Sequence, residues 1–178
     1  MTGHPQFEDL VKTYYASLYR FALSLTRLEN DACDLTQQTF YIWATKGHQL
    51  RDPAMVKTWL FTTLHREFLR QARKNKRFTR RDLQETDEDM PVIQPTLTNH
   101  LDGQSVLALL GKLDDIFQAP ISLFYLEDCS YNRIAEILEI PLGTVKSRIA
   151  RGLIQLQGLI RHLDQQNLAS PGPRRPSS

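Results

Sequence analysis

Near the carboxyl end of the sequence, a predicted helix has a face of basic and hydroxyl side chains. Four side chains lie outside the apolar stripe of a predicted helix: Lys146, Ser147, Arg148 and Arg151. Cations and hydroxyls at helical spacing can bind phosphates and base edges, and a helix that carries them fits the major groove of DNA. This face is therefore a candidate DNA-binding surface. The alternative is an amphipathic helix with a solvated basic side.

A helix-turn-helix pattern positions that face. Residues 130–151 read SYNRIAEILEIPLGTVKSRIAR. Ser130 is expected to cap a short first helix, whose apolar positions recur at helical spacing. Pro141 and Gly143 interrupt the periodicity, and the second helix is expected to restart from Thr144.

The same string closely resembles the promoter-binding helix-turn-helix of bacterial sigma factors of the extracytoplasmic-function group. Members of that group carry SY, IAEIL, IP, GTVKSR and a following arginine in this order. Two more strings resemble the group, in the family's order. The string DACDLTQQTFYIWA at 31–44 is similar to its polymerase-binding helix, and KTWLFTTLHREFLRQARK at 57–74 is similar to the helix that follows. The resemblance implies a sigma-70 family member that has regions 2 and 4 only.

Three amphipathic helices are predicted in the first part of the chain. The first covers roughly 5–27. The second is expected to begin at an Asn30 cap and to stop at Gly47. Asp52 followed by Pro53 indicates the start of a third helix, because the aspartate can cap free N–H groups and proline tolerates the first turn.

The predicted fold is all-α, with two small helical domains joined by a flexible linker. Residues 78–101 lose helical periodicity and contain two prolines and the acidic run from Asp82 to Asp89, which indicates a linker. Asp102 is a candidate cap for the next helix, and the helix that contains Pro120 begins near that proline or is kinked there. The expected divisions are a three-helix bundle-like domain over 1–77, the linker over 78–101, a helix-turn-helix domain over 102–165 and a disordered tail over 166–178.

Composition excludes several classes of protein. The 178 residues carry a net charge of +2, and no apolar run approaches the roughly 20 residues that span a bilayer. The N-terminus lacks the features of a signal peptide, so a cytoplasmic protein without membrane insertion is expected. Cys33 and Cys129 have no metal-binding or disulfide spacing. No cofactor, metal or catalytic motif is predicted, and the five histidines are scattered.

The resemblance implies three sets of contact residues. The family's second helix docks on a coiled coil of the polymerase β′ subunit, and Gln38 here replaces a carboxylate that members commonly carry. The matching polymerase-binding positions are Asp34, Gln37 and Gln38. Side chains in the position that opens the start-proximal (-10) promoter element are His48, Gln49, Arg51, Lys57, His65, Arg66 and Arg70. Those implied for the upstream (-35) element are Thr144, Lys146, Ser147, Arg148 and Arg151.

The implied partners are core RNA polymerase (its β′ and β subunits), promoter DNA and an anti-sigma protein, which in this group is often membrane-linked. Two other classes remain open from the residues alone. A conventional helix-turn-helix regulator would bind DNA by itself, commonly as a dimer on a palindrome. An enzyme would need catalytic residues that no motif in this sequence indicates.

Overall fold

The computed structural model describes residues 7–74 and 103–169, and within them the chain is helical with no strand. The seven α-helices are α1 (Phe7–Thr26), α2 (Glu29–Lys46), α3 (Val56–Lys74), α4 (Gly103–Leu110), α5 (Asp115–Glu127), α6 (Tyr131–Leu138) and α7 (Leu142–Ala169). Short 3₁₀ turns occupy Gly47–Gln49 and Pro53–Met55. The all-α prediction is confirmed. The predicted linker at 78–101 and the Asp102 cap lie outside the described residues.

The starts of α2 and α3 differ in how well local signals predicted them. The Asp52 side chain accepts a hydrogen bond from the Ala54 N–H at 2.9 Å, which confirms the predicted cap. The Asn30 cap is wrong, because α2 already begins at Glu29 without a side-chain cap. Arg27 has a left-handed backbone, with φ of 62°, which turns the chain sharply between α1 and α2.

Gly47 follows the last residue of α2, but it does not adopt the left-handed backbone that is expected of a terminal glycine. Its φ is −59°, which is ordinary helical backbone, and its N–H donates to the Trp43 carbonyl. A Cβ at this position would lie 2.6 Å from two ring carbons of Trp43. The indole therefore covers the backbone where the helix passes into the 3₁₀ turn.

Helices α1, α2 and α3 enclose an aromatic core. The Phe21 and Phe61 rings lie 5.4 Å apart, and Trp43 meets Trp59 edge to face at 5.1 Å. Large buried aliphatic side chains fill the remaining space: Leu10, Leu18, Leu35, Leu60 and Leu64. This bundle holds the 3₁₀ turns and the outer side of α3 in place. We refer to α1–α3 as the N-terminal module.

Helices α4–α7 form the C-terminal module. Pro120 lies inside α5, which begins at Asp115, so the helix does not start at that proline. Helix α7 continues to Ala169, four residues past the boundary expected at 165, because no proline or glycine intervenes before Pro171. The part of the predicted tail beyond Ala169 lies outside the described residues.

The two modules pack directly against each other. Helix α1 contacts α4 and α5, and α3 contacts α6. The buried apolar residues of both modules belong to one continuous cluster. The sequence interpretation of two small domains on a linker did not include this contact.

Gly152 permits a close approach between α7 and α5. A Cβ at Gly152 would lie 2.9 Å from Ile121 Cγ1 and 3.0 Å from Phe117 Cβ, closer than these atoms tolerate. Neither contacted atom is the free end of a flexible side chain, so the helices themselves would have to separate. By contrast, Gly158 on the same helix has no atom within 4 Å of the corresponding position.

We predict that Gly152→Ala lowers the free energy of unfolding by about 1–2 kcal/mol, since overpacking exceeds the gain in helix propensity. Urea unfolding monitored by circular dichroism measures this change. Gly158→Ala is the matched control and should be neutral or stabilising by up to about 1 kcal/mol. Equal effects at the two positions would show that the packing at Gly152 is not restrictive.

Candidate nucleic-acid interface

Two local features define the helix-turn-helix: a side-chain cap at its start and a left-handed residue in its turn. The Ser130 Oγ accepts a hydrogen bond from the Arg133 N–H at 3.3 Å, which confirms the predicted cap. The turn uses Glu139 in the left-handed region, with φ of 56°. Helix α7 then begins at Leu142, two residues before the expected Thr144, because the Val145 N–H already reaches the Pro141 carbonyl at 3.1 Å. Gly143 therefore lies inside the helix and does not form the turn.

The five residues predicted to contact the upstream element lie together near the N-terminal end of α7. Lys146 is exposed, and the other four are partly buried: Thr144, Ser147, Arg148 and Arg151. Buried Val145, Ile149 and Leu153 anchor the opposite side of the helix. The Ser147 hydroxyl donates to the Thr144 carbonyl at 3.1 Å, which orients it along its own helix.

The loop before α3 is exposed at the three predicted positions. His48 and Gln49 belong to the 3₁₀ turn, and Arg51 follows it. Further along, the Arg70 Nε donates to Glu67 Oε2 at 2.9 Å on the same helix, and this hydrogen bond raises the pKa of the guanidinium. The loop side chains therefore remain available for contact with a ligand, whereas Arg70 is held by an intrahelical partner.

Two other predicted cations of α3 are bound by carboxylates of the C-terminal module. Lys57 Nζ donates to the Glu127 carbonyl at 3.2 Å and lies 3.6 Å from Glu127 Oε2. Arg66 Nε donates to Glu139 Oε2 at 2.8 Å, and its Nη2 donates to the second oxygen. The Arg66 hydrogen bonds hold the pKa of the Glu139 carboxyl below its ordinary value. This side of α3 is thus occupied, where the sequence interpretation expected an open face.

Sequence reasoning missed three residues that connect the modules. Arg20 of α1 lies 3.5 Å from Glu127 Oε1, and Arg133 of α6 donates to the Thr58 hydroxyl at 2.6 Å. Arg27 donates to Asp115 at 3.0 Å. The partners are 75 to 107 residues apart in the chain, so no local pattern indicates them.

The outer face of α2 holds the predicted polymerase-binding residues. Asp34 and Gln37 are exposed and Gln38 is partly buried. The Gln37 Nε2 donates to the Cys33 sulfur at 3.3 Å. Tyr41, one turn beyond Gln37, is 65% exposed and adds an apolar group that the sequence interpretation did not include.

Metal-ligand clusters, membrane-spanning helices and the two cysteines can be assessed in the part of the chain that the structure describes. Within 7–74 and 103–169, no three His, Cys, Asp or Glu side chains gather as a metal site would require. No helix in that part of the chain is long and apolar enough to cross a membrane. Cys33 and Cys129 are free thiols, and burial raises the pKa of Cys129.

Two family models match the chain at the two modules. The family described as Sigma-70 region 2 matches residues 10–78, and Sigma-70, region 4 matches residues 103–156. The first covers the N-terminal module, and the second covers α4 through the basic face of α7. The fold and these matches define a sigma-70 type initiation factor that has these two regions.

Comparison with individual relatives shows which group of sigma-70 type factors this chain resembles. The chain is 32% identical over 157 residues to the ECF RNA polymerase sigma factor SigE of Mycolicibacterium smegmatis, covering 86% of this chain and 61% of SigE. It is 30% identical over 147 residues to the ECF RNA polymerase sigma factor EcfG of Rhodopseudomonas palustris, covering 81% of this chain and 79% of EcfG. A solved structure of the sigma factor RpoE with the anti-sigma factor NepR from Bartonella quintana is similar with a TM-score of 0.69 and 30% identity, covering 87% of this chain and 96% of RpoE.

The chain belongs to the extracytoplasmic-function (ECF) sigma factors. It is a promoter-specific initiation factor that binds RNA polymerase. Sigma factors are regulatory transcription factors rather than enzymes. This membership confirms the family interpretation of the sequence and removes the conventional regulator as the leading alternative.

His65 occupies the junction of α3 with the helix-turn-helix. Burial lowers its pKa to about 4, opposed by the Glu139 carboxylate and reinforced by Arg148. The imidazole is therefore neutral in the folded protein at neutral pH. An unfolded histidine binds a proton near pH 6.5, so the unfolded state gains protons first as the pH falls. Stability contributed by neutral His65 is complete above pH 6.5 and is lost as the pH falls towards 4.

We predict that this group makes the protein less stable at pH 5 than at pH 7.5 by up to about 2 kcal/mol. In urea unfolding, His65→Gln should lose less free energy of unfolding between pH 7.5 and pH 5 than the wild type does. The exposed His48→Gln is the control and should keep the wild-type pH dependence. An unchanged dependence in His65→Gln would contradict the assignment.

Proposed function

We propose that the basic face of α7 binds the upstream promoter element through Thr144, Lys146, Ser147, Arg148 and Arg151. One observation carries this proposal: the five side chains lie in the first turns of α7, and none of them belongs to its buried apolar stripe. Arginine binds guanine in the major groove through two hydrogen bonds, and lysine and hydroxyl groups position a helix on phosphates. The same module resembles region 4 over its full described helix-turn-helix.

The exposed loop before α3 and the cations of α3 supply the start-proximal contacts in this proposal. His48, Gln49 and Arg51 have the stacking and hydrogen-bonding groups that an unstacked base requires. On α3, the cations Lys57, Arg66 and Arg70 form a basic track for single-stranded phosphate, and the neutral imidazole of His65 adds a hydrogen-bonding group. Lys57 and Arg66 can do so only when they separate from Glu127 and Glu139, and Arg70 only when it leaves Glu67 of its own helix.

The polymerase surface is proposed on the outer side of α2, at Asp34, Gln37 and Gln38, with the polymerase β′ subunit as the partner. Exposed Tyr41 extends that side by one turn and contributes apolar area. RpoE of Bartonella quintana is described in complex with the anti-sigma factor NepR. We extend that relation to this chain and expect an anti-sigma protein as its regulator, with the cytoplasm as the place of action.

The upstream assignment predicts that Arg148→Ala with Arg151→Ala abolishes promoter-specific initiation, by at least about 30-fold, because each arginine–base contact contributes about 1–3 kcal/mol. Transcription from promoter fragments selected with the wild-type holoenzyme measures this loss. Binding to core polymerase should remain within about twofold, since α2 lies in the other module.

Arg161→Ala is the matched control for that double variant. Arg161 is exposed on α7 and lies beyond the residues that match region 4. It should retain initiation. Loss of polymerase binding together with initiation in a folded Arg148/Arg151 variant would refute the proposed division of labour between the modules.

For the polymerase surface, Asp34→Asn should weaken association with core polymerase by roughly fivefold, since an exposed charge contact contributes on the order of 1 kcal/mol. Titration of labelled protein with core enzyme measures the change. Glu29→Gln makes the same charge change about 140° around α2 and should have no effect. Equal weakening by both substitutions would indicate general electrostatics and no defined surface at Asp34.

A further inference from the structure

The short connection between α4 and α5 is held by side chains from three helices. The Leu113 carbonyl accepts hydrogen bonds from Arg27 Nη2 of α1 at 3.3 Å and from Gln118 Nε2 of α5 at 3.2 Å. From α7, Gln155 Oε1 accepts a hydrogen bond from the Asp114 N–H at 3.1 Å. Gln155 therefore ties the helix that carries the basic face to the start of α5.

Gln155 supplies an acceptor at the point where the hydrogen bonds of α4 end. The N–H groups of Gly111, Lys112 and Leu113 donate to carbonyls of α4, at 3.0 to 3.2 Å. The next N–H along the chain, that of Asp114, donates to Gln155. A backbone amide that leaves a helix needs water or a side chain as its acceptor, and a side chain accepts in one direction. The hydrogen bond therefore fixes α7 relative to the start of α5, which a water molecule would not do.

Gln155 lies on the same side of α7 as the two arginines of the basic face. It follows Arg148 by seven residues and Arg151 by four, so the three positions lie within about 60° around the helix axis. The helical rise places Gln155 about 6 Å along the axis from Arg151 and about 10 Å from Arg148. A hydrogen bond at Gln155 thus restrains the side of α7 that carries both arginines.

The packing of α7 on α5 sets the separation of the two helices more than their rotation. Gly152 allows a close approach, since a Cβ there would lie 2.9 Å from Ile121 Cγ1, but glycine has no side chain that could interlock with α5. Apolar contacts such as those of buried Leu153 are non-directional, whereas a hydrogen bond weakens steeply as its angle changes. Side chains that recognise a ligand must be held within about 0.5 Å and 10–20° of their productive geometry. The hydrogen bond from Asp114 to Gln155 supplies a directional restraint of this kind.

We infer that Gln155 is a positioning residue for recognition of the upstream promoter element. Its carboxamide holds the Asp114 N–H and thereby fixes the rotation at which Arg148 and Arg151 meet the major groove. This inference rests on the proposed function of α7 and adds a residue that acts through the arginines without binding DNA itself.

Discrimination between two promoter fragments tests this role in the holoenzyme. One fragment is selected with the wild-type holoenzyme, and in the other the base pairs of the upstream element are replaced. Gln155→Met keeps a straight side chain of similar helix propensity but loses the acceptor, so the ratio of initiation on the two fragments should fall by about fivefold or more. Both this variant and the wild type should bind core polymerase equally well.

Gln155→Glu is the conservative variant that should restore discrimination. Its carboxylate still accepts a hydrogen bond from the Asp114 N–H, so the ratio should return to within about twofold of the wild type. Repulsion of phosphates by the added charge affects both fragments alike and cancels in the ratio.

Gln157 offers a matched control, because it is exposed on the same helix about 160° around the axis from Gln155. Gln157→Met and Gln157→Glu should both leave the ratio unchanged. An equal loss of discrimination in Gln155→Met and Gln157→Met would show a general effect on α7 and overturn the inference.

Hydrogen exchange of the Asp114 amide in the free chain measures the bond without DNA. By NMR, exchange should be about fivefold faster in Gln155→Met than in the wild type, and close to the wild-type rate in Gln155→Glu. Unchanged exchange in Gln155→Met would overturn the inference, because the amide would not depend on Gln155. Loss of discrimination in Gln155→Glu with a protected amide would also overturn it, because the carboxamide would then contact DNA directly.

Arg148→Ala with Arg151→Ala in the same assay separates this inference from the proposed function. If that variant keeps the wild-type ratio, the proposed function fails and the inference fails with it. If it loses discrimination while Gln155→Met retains it, the proposed function stands and the positioning role is refuted. Loss in both variants, with recovery in Gln155→Glu, supports the positioning role.

Discussion

The packing of α6 against α3 is the contact on which the rest of this structure depends. It brings Arg133 onto the Thr58 hydroxyl, places Glu139 on Arg66 and puts partly buried His65 near Glu139 and Arg148. The helix-turn-helix is therefore more than a DNA-reading unit at the end of a linker. In this arrangement its turn and first helix also act as a cover for the helix that precedes them in the chain.

The two sets of ion pairs between the modules differ in how strongly they hold the modules together. Arg66 and Glu139 remain largely solvent-exposed, so their ion pair contributes little to the stability of the junction. Glu127 differs because its burial makes separation of the modules depend on rehydrating a carboxylate and two cations together. Salt screens the exposed Arg66–Glu139 pair, because both side chains are in contact with solvent.

Sequence reasoning succeeded where the determinant is local. The Asp52 and Ser130 caps, the apolar stripe of α7 and the grouping of its basic face all depend on residues within a few turns of one another. It failed at the Asn30 cap and at the turn residue, because the left-handed backbones of Arg27 and Glu139 carry no residue signature comparable to glycine. Sequence reasoning could not predict the ion pairs between the modules, because only the packed fold brings their partners together.

The C-terminal module leaves one helix of the N-terminal module, α2, uncovered. Among the described helices, α2 packs on α1 and α3 and makes no contact with α4–α7, so Asp34, Gln37 and Tyr41 stay accessible while α3 is masked. A polymerase surface that engages α2 therefore does not compete with the junction. If α3 binds an unwound strand as proposed, Lys57 and Arg66 must first separate from Glu127 and Glu139, so this step requires α5 and α6 to withdraw.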